Sequence, residues 1–176
     1  MRKFNIFISG IGGLGVLTLA RLIAESGLRQ GYDVKTAEFH GLSQRYGSLH
    51  AYVRFGKTHS ALIPAGFADV VFGLEPLEAL RAAYWGSKQR TTFLINDYVM
   101  YPLTVFIEKQ KYPSKQEIEK NLDYFAKKVL WLNASKIAKQ VMGSIVGTNI
   151  YMLGWSIGAG LLPLEKDIVE ILIKEM

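Results

Sequence analysis

Residues 4–15 read Phe4-Asn-Ile-Phe-Ile-Ser-Gly10-Ile-Gly12-Gly13-Leu-Gly15. A short β-rich run over residues 4–8 passes directly into a glycine-rich turn. Apolar residues at helical spacing follow, with Leu17, Ala20, Leu22, Ile23, Ala24 and Leu28 lying within residues 14–29. Gly31 stops that helix, and residues 33–39 read as a second strand. The spacing predicts a β–loop–α–β unit whose two strands pair in parallel through a right-handed crossover. Gly10, Gly12 and Gly15 fit G-x-G-x-x-G in the required context, after a strand and opening a helix, with Gly13 inside the turn. In a dinucleotide-binding loop the first glycine permits the tight turn. The second admits a phosphate, and the third lets the helix pack on the strand. The helix N-terminus then offers N–H groups to an anion. Glu38 stands 23 residues after Gly15, where an acid would take ribose hydroxyls. The same glycines serve equally well in a tight β–α turn that binds nothing.

Outward from this unit, strands are expected over residues 49–55, 60–63, 68–74, 91–96 and 128–132. A helix over 76–85 begins with Pro76 in its first turn. Another over 114–127 begins with Ser114 and Glu117 at capping-box spacing. From about residue 133 helices dominate. The alternation predicts a Rossmann-like α/β fold: an open, mainly parallel sheet with helices on both faces and a helical C-terminal part. A length of 176 residues suits one domain spanning 1–176.

Composition excludes several classes. With 49% hydrophobic and 20% charged residues, the chain is neither disordered nor fibrous. It has no cysteine, which removes disulfides, thiol catalysis and cysteine-held zinc or iron–sulfur clusters. The net charge is +6, and residues 109–139 carry eight lysines against Glu117, Glu119 and Asp123. The aromatic and basic residues of this segment are not interleaved in the manner of RNA-reading modules, so it reads as a solvated helix surface and no nucleic-acid partner is expected. Residues 141–164 contain no charge and are long enough to span a bilayer, but glycines, Thr148, Asn149 and Pro163 interrupt them. They read as a buried helix in which Gly154 and Gly158, four apart, admit a close neighbouring backbone. The basic, apolar start at Met1 imitates a secretory signal, yet the glycine turn breaks its apolar region. No membrane association and a cytoplasmic location are expected.

Three other patterns fail on context. Gly154-Trp-Ser156-Ile-Gly158 fits a nucleophile elbow, but it lies in a helical stretch and all three histidines precede it. Gly56-Lys57-Thr58 lacks the upstream glycine of a phosphate loop, Ala51 standing in its place. His40, His50 and His59 have no metal-ligand spacing, so no metal site is expected.

The loop after the second strand is dense in binding groups: Glu38-Phe-His40-Gly41-Leu-Ser-Gln44-Arg45-Tyr46-Gly47-Ser48. An imidazole and a guanidinium beside an acid suit an anion or a partner protein. This loop, the glycine turn, Pro64-Ala-Gly66-x-Ala68-Asp69-Val-Val and Gly73-Leu-Glu75-Pro76 come in an order that resembles the gamma-type domain of 2-oxoacid:ferredoxin oxidoreductases. The similarity runs from about residue 6 to 164 and is best to the family's branch acting on arylpyruvates such as indolepyruvate. It implies a subunit with no catalytic residue of its own. Thiamine diphosphate and iron–sulfur clusters would sit on a larger alpha subunit, and coenzyme A would be a co-substrate. Electrons would pass to ferredoxin from the whole complex, and this chain alone would bind no cofactor. Gly10, Gly12, Gly13, Gly15, Glu38, His40, Gln44 and Arg45 are the candidate ligand or partner contacts. Tyr46 departs from the family pattern, in which paired glycines usually follow Gln-Arg. A free-standing nicotinamide-dependent Rossmann dehydrogenase, or a non-catalytic assembly module with a purely structural glycine loop, are the alternatives.

Overall fold

The computed structural model describes residues 3–41, 47–101 and 111–175, with His40 described in its backbone only. Its elements are β1 (Phe4–Ile11), α1 (Val16–Arg29), β2 (Val34–His40), β3 (Ser48–Phe55), β4 (Val70–Gly73), α2 (Pro76–Arg81), β5 (Ser87–Asn96), α3 (Lys115–Leu122), β6 (Ala126–Leu132), α4 (Ala134–Met142), α5 (Thr148–Gly158) and α6 (Lys166–Glu175). Short 3-10 helices follow α2 at Ala82–Trp85 and precede α5 at Ile145–Gly147.

The six strands form one sheet in the order β2-β3-β1-β4-β5-β6. Neighbours β1, β4, β5 and β6 are parallel, and β3 is antiparallel to both β1 and β2. β2 therefore points the same way as β1, and β3 alone runs against the rest. The expected direct pairing of β1 with β2 is corrected: β3 lies between them. The reason is local. Only seven residues separate His40 from Ser48, so β3 returns beside β2 as an antiparallel neighbour. The inner residues of β3, from Ala51 to Phe55, are buried, whereas β2 carries exposed Lys35 and Glu38. The apolar strand takes the interior and the charged one the edge. Exposed Lys127 and Lys128 mark the opposite edge on β6.

Helices cover both faces. Ile6, Ile8, Val53 and Phe55 pack with α1, α5 and α6 on one side. Phe7, Tyr52, Val71, Phe93 and Ile95 pack with α2 and α3 on the other. Phe7, Phe55, Phe72 and Phe93 are almost wholly buried, each contributing about 1.5–3 kcal/mol through the area it removes from water. Arg54 is buried as well. Its guanidinium donates to Asn5 Oδ1 (2.8 Å) and to the carbonyls of Ser60 (2.9 Å) and Leu62 (2.7 Å). Residues 60–63 are thus held by an arginine rather than forming the expected strand.

Glu75 caps α2 ahead of Pro76. Ser114 with Glu117 makes a reciprocal capping box at α3, as the sequence predicts. α3 ends at Leu122 and β6 begins at Ala126, both earlier than expected. Residues 141–164 differ more. They form the end of α4, a left-handed turn at Gly143, a 3-10 turn and α5, not one buried helix. Met152, Leu153 and Ser156 are buried, but Val141 and Val146 are 78% and 75% exposed. Gly154 and Gly158 lie on the open side of α5, where an added Cβ would meet nothing within 4 Å. The close contact expected at these two glycines is absent among the described residues. No described helix is long and apolar enough to cross a membrane.

Candidate functional site at the carboxyl edge of the sheet

Parallel strands deliver their following loops to one edge, and ligands of open α/β sheets bind there. At this edge lie the glycine loop after β1, Leu74-Glu75 after β4, and Asn96-Asp97 after β5. Each glycine has a task different from its dinucleotide-loop counterpart. Gly10 is still within β1, and a Cβ there would stand 2.7 Å from Val16 Cγ2 and 3.1 Å from Leu74 Cβ. The close approach of helix to sheet thus falls on the first glycine. The N–H of Gly12 donates to Gly47 O (3.0 Å), fastening the turn to the end of the loop after β2. Gly15 sits at φ +79°, and its missing Cβ would lie 2.4 Å from Asn149 Nδ2. The third glycine makes room for α5, not for the strand.

Asn149 closes this contact by donating to Gly15 O (3.1 Å), an oxygen that also accepts from Leu19 N–H (2.9 Å). A buried polar chain places it. The Asn96 amide donates to Leu74 O (3.1 Å) and Ser135 Oγ (2.9 Å), and accepts from Ser135 N–H (3.1 Å). The Ser135 and Thr148 hydroxyls are 3.0 Å apart, and Thr148 donates to Ile145 O (2.6 Å). Buried polar atoms this fully paired fix relative position, because each would be costly to leave unmade. Asn149 was not singled out from the sequence as a site residue. The available signal was two adjacent polar residues, Thr148 and Asn149, in an otherwise apolar stretch.

Between the glycine loop and the start of α5 runs a cleft of about 520 Å³. Gly12, Gly13, Thr18, Leu49, Val146 and Asn149 are among its lining residues, and none of the described residues lining it is charged. Glu38 is not there. It is exposed on β2, in register with Ala51 of β3 and, beyond it, Ile8 of β1. Two interstrand spacings put it about 10 Å from β1. The inserted strand therefore separates the acid from the loop it would serve in a dinucleotide site. His40 pairs through its backbone with Leu49. Gln44, Arg45 and Tyr46 lie outside the described residues.

Two buried carboxylates flank this edge. Glu75, 1% exposed, accepts from Glu78 N–H (3.0 Å), Met100 N–H (3.4 Å) and the Tyr112 hydroxyl. Burial pushes its carboxyl above the usual range, and these hydrogen bonds draw it back. Burial and the bond to Glu75 hold the Tyr112 hydroxyl well above its ordinary value. Glu78 accepts from Ser48 Oγ and from Arg81, tying α2 to the start of β3. His50 is stacked between Phe7 and Phe39, both at 5.4 Å, and burial lowers its pKa. Ser156 donates to Leu153 O inside α5, a helical setting unlike a nucleophile elbow. Among the described residues, no three His, Asp or Glu side chains cluster as metal ligands.

The chain matches the family described as pyruvate ferredoxin/flavodoxin oxidoreductase over residues 5–176. It is 39% identical over 173 residues to an indolepyruvate oxidoreductase subunit, IorB, of Archaeoglobus fulgidus, covering 98% of this chain and 85% of that one. It is 38% identical over 176 residues to the subunit of the same name in Pyrococcus horikoshii, covering 99% and 86%. Among solved structures, a pyruvate oxidoreductase subunit of Thermotoga maritima superposes with a TM-score of 0.70 at 17% identity, covering 100% of this chain and 86% of that one. The 2-oxoglutarate:ferredoxin oxidoreductase of Magnetococcus marinus, solved with 2-oxoglutarate, coenzyme A and succinyl-CoA bound, superposes at 0.72 and 16% identity over 99% of this chain and 27% of that one. At these identities the two structures establish the fold. The match along almost the whole sequence, with the relatives above 30% identity, shows that this chain belongs to the pyruvate ferredoxin/flavodoxin oxidoreductase family.

Proposed function

We propose that this chain is the small subunit of an arylpyruvate:ferredoxin oxidoreductase, with indolepyruvate the leading substrate. The complex would decarboxylate the 2-oxoacid oxidatively, join the acyl group to coenzyme A and pass two electrons to ferredoxin. Thiamine diphosphate and iron–sulfur clusters would be held by a larger alpha subunit. This chain has no cysteine to ligate a cluster. Its own part would be to shape and cover the partner's site. The observation that carries this reading is the condition of the glycine loop. The Gly12 N–H is committed to Gly47, Asn149 fills the space beside Gly15, and Glu38 stands two strands away. That arrangement disfavours the free-standing dehydrogenase.

The cleft beside the loop opens next to Val146, and exposed Val141 and Met142 end α4 just before the turn that carries Val146. We place the partner subunit over this corner. Gln44 and Arg45 would take a phosphate of coenzyme A or a partner carboxylate, and Glu38 and His40 would meet the partner along the same edge. The test is co-production with the alpha subunit and assay of arylpyruvate- and coenzyme A-dependent dye reduction. Val146→Asp should abolish co-purification, and Arg45→Ala should lower turnover about tenfold while Arg45→Lys restores part of it, because a point charge cannot copy a planar fork. Stoichiometric NADH binding by the chain alone would overturn the reading in favour of the dehydrogenase.

A further inference from the structure

The sheet ends in two edge strands, β2 and β6, and they are built differently. β6 keeps an irregular register with β5, shifted between Ser87 and Thr92, and it sets exposed Lys127 beside exposed Lys128. Irregular pairing and edge lysines are the usual guards against an added strand. β2 has no bulge and no proline. Its seven residues stay in unbroken register with β3 from Val34 to His40, and β3 is its only strand neighbour among the described residues. Every second N–H and C=O along about 20 Å of β2 therefore points away from β3.

The side chains of β2 specify what an added strand must carry. They alternate between the two faces of the sheet. Lys35, Ala37 and Phe39 share the face of Phe7 and Tyr52, and Val34, Thr36 and Glu38 share the face covered by α1. Phe39 is 45% exposed, and its ring extends the stack that runs through His50 at 5.4 Å. Ala37 leaves a gap between Phe39 and the stem of Lys35. Lys35 and Glu38 are exposed, and neither has an ion pair among the described residues. Lys35 also stands in register with Arg54 of β3, a like charge. Its counter-charge is thus missing on the side of β3 and has room on the open side. The two charges of β2 differ in sign and in face, so they sort incoming strands by sequence as well as warding off unsuited ones.

We infer that the open edge of β2 receives an extended segment of a partner protein, antiparallel to β2, with an acidic side chain opposite Lys35, a large apolar one opposite Ala37 and a basic one opposite Glu38. Main-chain hydrogen bonds would hold such a strand and its alternate side chains would select it. A second copy of this chain does not fit. In a two-fold antiparallel pair, residues directly opposite share a face. Lys35 and Glu38 lie on different faces, so neither would meet its opposite charge in a copy of β2. The inference rests on the sheet edge alone and stands whichever complex the chain serves.

The probe is the peptide acetyl-Val-Lys-Phe-Thr-Glu-Val-amide, which sets its Lys opposite Glu38, its Phe opposite Ala37 and its Glu opposite Lys35. Titrated into the full chain labelled with nitrogen-15, it should shift the backbone amides of residues 34–40 and leave those of β6 in place, with a Kd of about 1 mM for so small a contact. The charge-exchanged peptide acetyl-Val-Glu-Phe-Thr-Lys-Val-amide should bind about fivefold more weakly. The double variant Lys35→Glu/Glu38→Lys should reverse that preference with unchanged circular dichroism, since both side chains are exposed. Methylating backbone nitrogens of the peptide separates strand addition from contact through side chains alone. In a ladder the N–H groups of every second residue face β2. Methylation on Lys and Thr, or on Phe and Glu, should therefore abolish binding for one set and spare the other. Strand addition is overturned if the β2 amides do not move by about 5 mM peptide, a concentration that would fill most of a millimolar site. It is equally overturned if the double variant does not reverse the preference, or if the two methylated peptides bind alike. A free chain that sediments as a dimer and is dissociated by the peptide would also overturn it, since a second copy would then hold the edge.

Discussion

Replacing Gly15 by alanine separates a structural glycine loop from a ligand-binding one. Two costs add at this position. The backbone is left-handed at φ +79°, and an L-residue there is less stable by about 1–2 kcal/mol. The new Cβ would also lie 2.4 Å from Asn149 Nδ2 and 2.9 Å from Asn149 Cγ, and relieving such overlap costs about 1–3 kcal/mol. Gly15→Ala should therefore destabilise by roughly 2–5 kcal/mol. Gly13 is the internal control. It also has positive φ, +102°, but a Cβ there meets nothing within 4 Å. Gly13→Ala should cost only the backbone part, about 1–2 kcal/mol. Asn149→Ala removes the bond to Gly15 O and should cost about 1–2 kcal/mol. In the double variant the overlap disappears, so the two changes should sum to less than their separate costs by about 1–2 kcal/mol. Urea denaturation of the four proteins with a common slope supplies the cycle. If Gly15→Ala and Gly13→Ala cost the same, or if the Asn149 cycle is additive, the packing of α5 into the glycine loop is refuted.

Two further outcomes follow from the buried polar groups. Because burial raises the folded-state pKa of Glu75, the folded chain binds that proton more tightly than the unfolded chain. The stability it contributes is then lost as pH rises from the ordinary carboxylate range through the raised value. The Tyr112 hydroxyl opposes this loss, so Tyr112→Phe should cost about 1–3 kcal/mol and make stability fall more steeply as pH rises above the ordinary carboxylate range; an unchanged pH dependence would refute the charge-assisted bond. Arg54→Met keeps much of the side-chain stem but leaves Asn5 Oδ1 and the Ser60 and Leu62 carbonyls without their donor, and should cost about 2–4 kcal/mol with faster proteolysis within residues 56–67; an unchanged melting temperature would show the guanidinium to be dispensable.

Much of this protein is determined by local sequence. The run from Phe4 to Gly15, Pro76 after Glu75, and Ser114 with Glu117 set their elements through turn, cap and periodicity. These depend on residues a few positions apart, which is why β1, α1, α2 and α3 begin within two residues of where the sequence puts them. The order of motifs along the chain likewise revealed the family. What followed from contacts distant in sequence was not legible. β3 enters between β1 and β2 because its residues from Ala51 to Phe55 find burial there, a competition among strands that no single stretch displays. That one insertion carries Glu38 away from the glycine loop. Gly15 meets Asn149 across 134 positions, through a chain of hydrogen bonds from Asn96 to Thr148 that only packing assembles. Residues 141–164 carry apolar character in their composition, but not which of their sides the domain would cover. Gly154 and Gly158 face outward because Met152, Leu153 and Ser156 take the inner side of α5. Local free energies of turns and caps are decided within a few residues; burial is decided by the whole chain, and here burial set the sheet order and the lining of the candidate site.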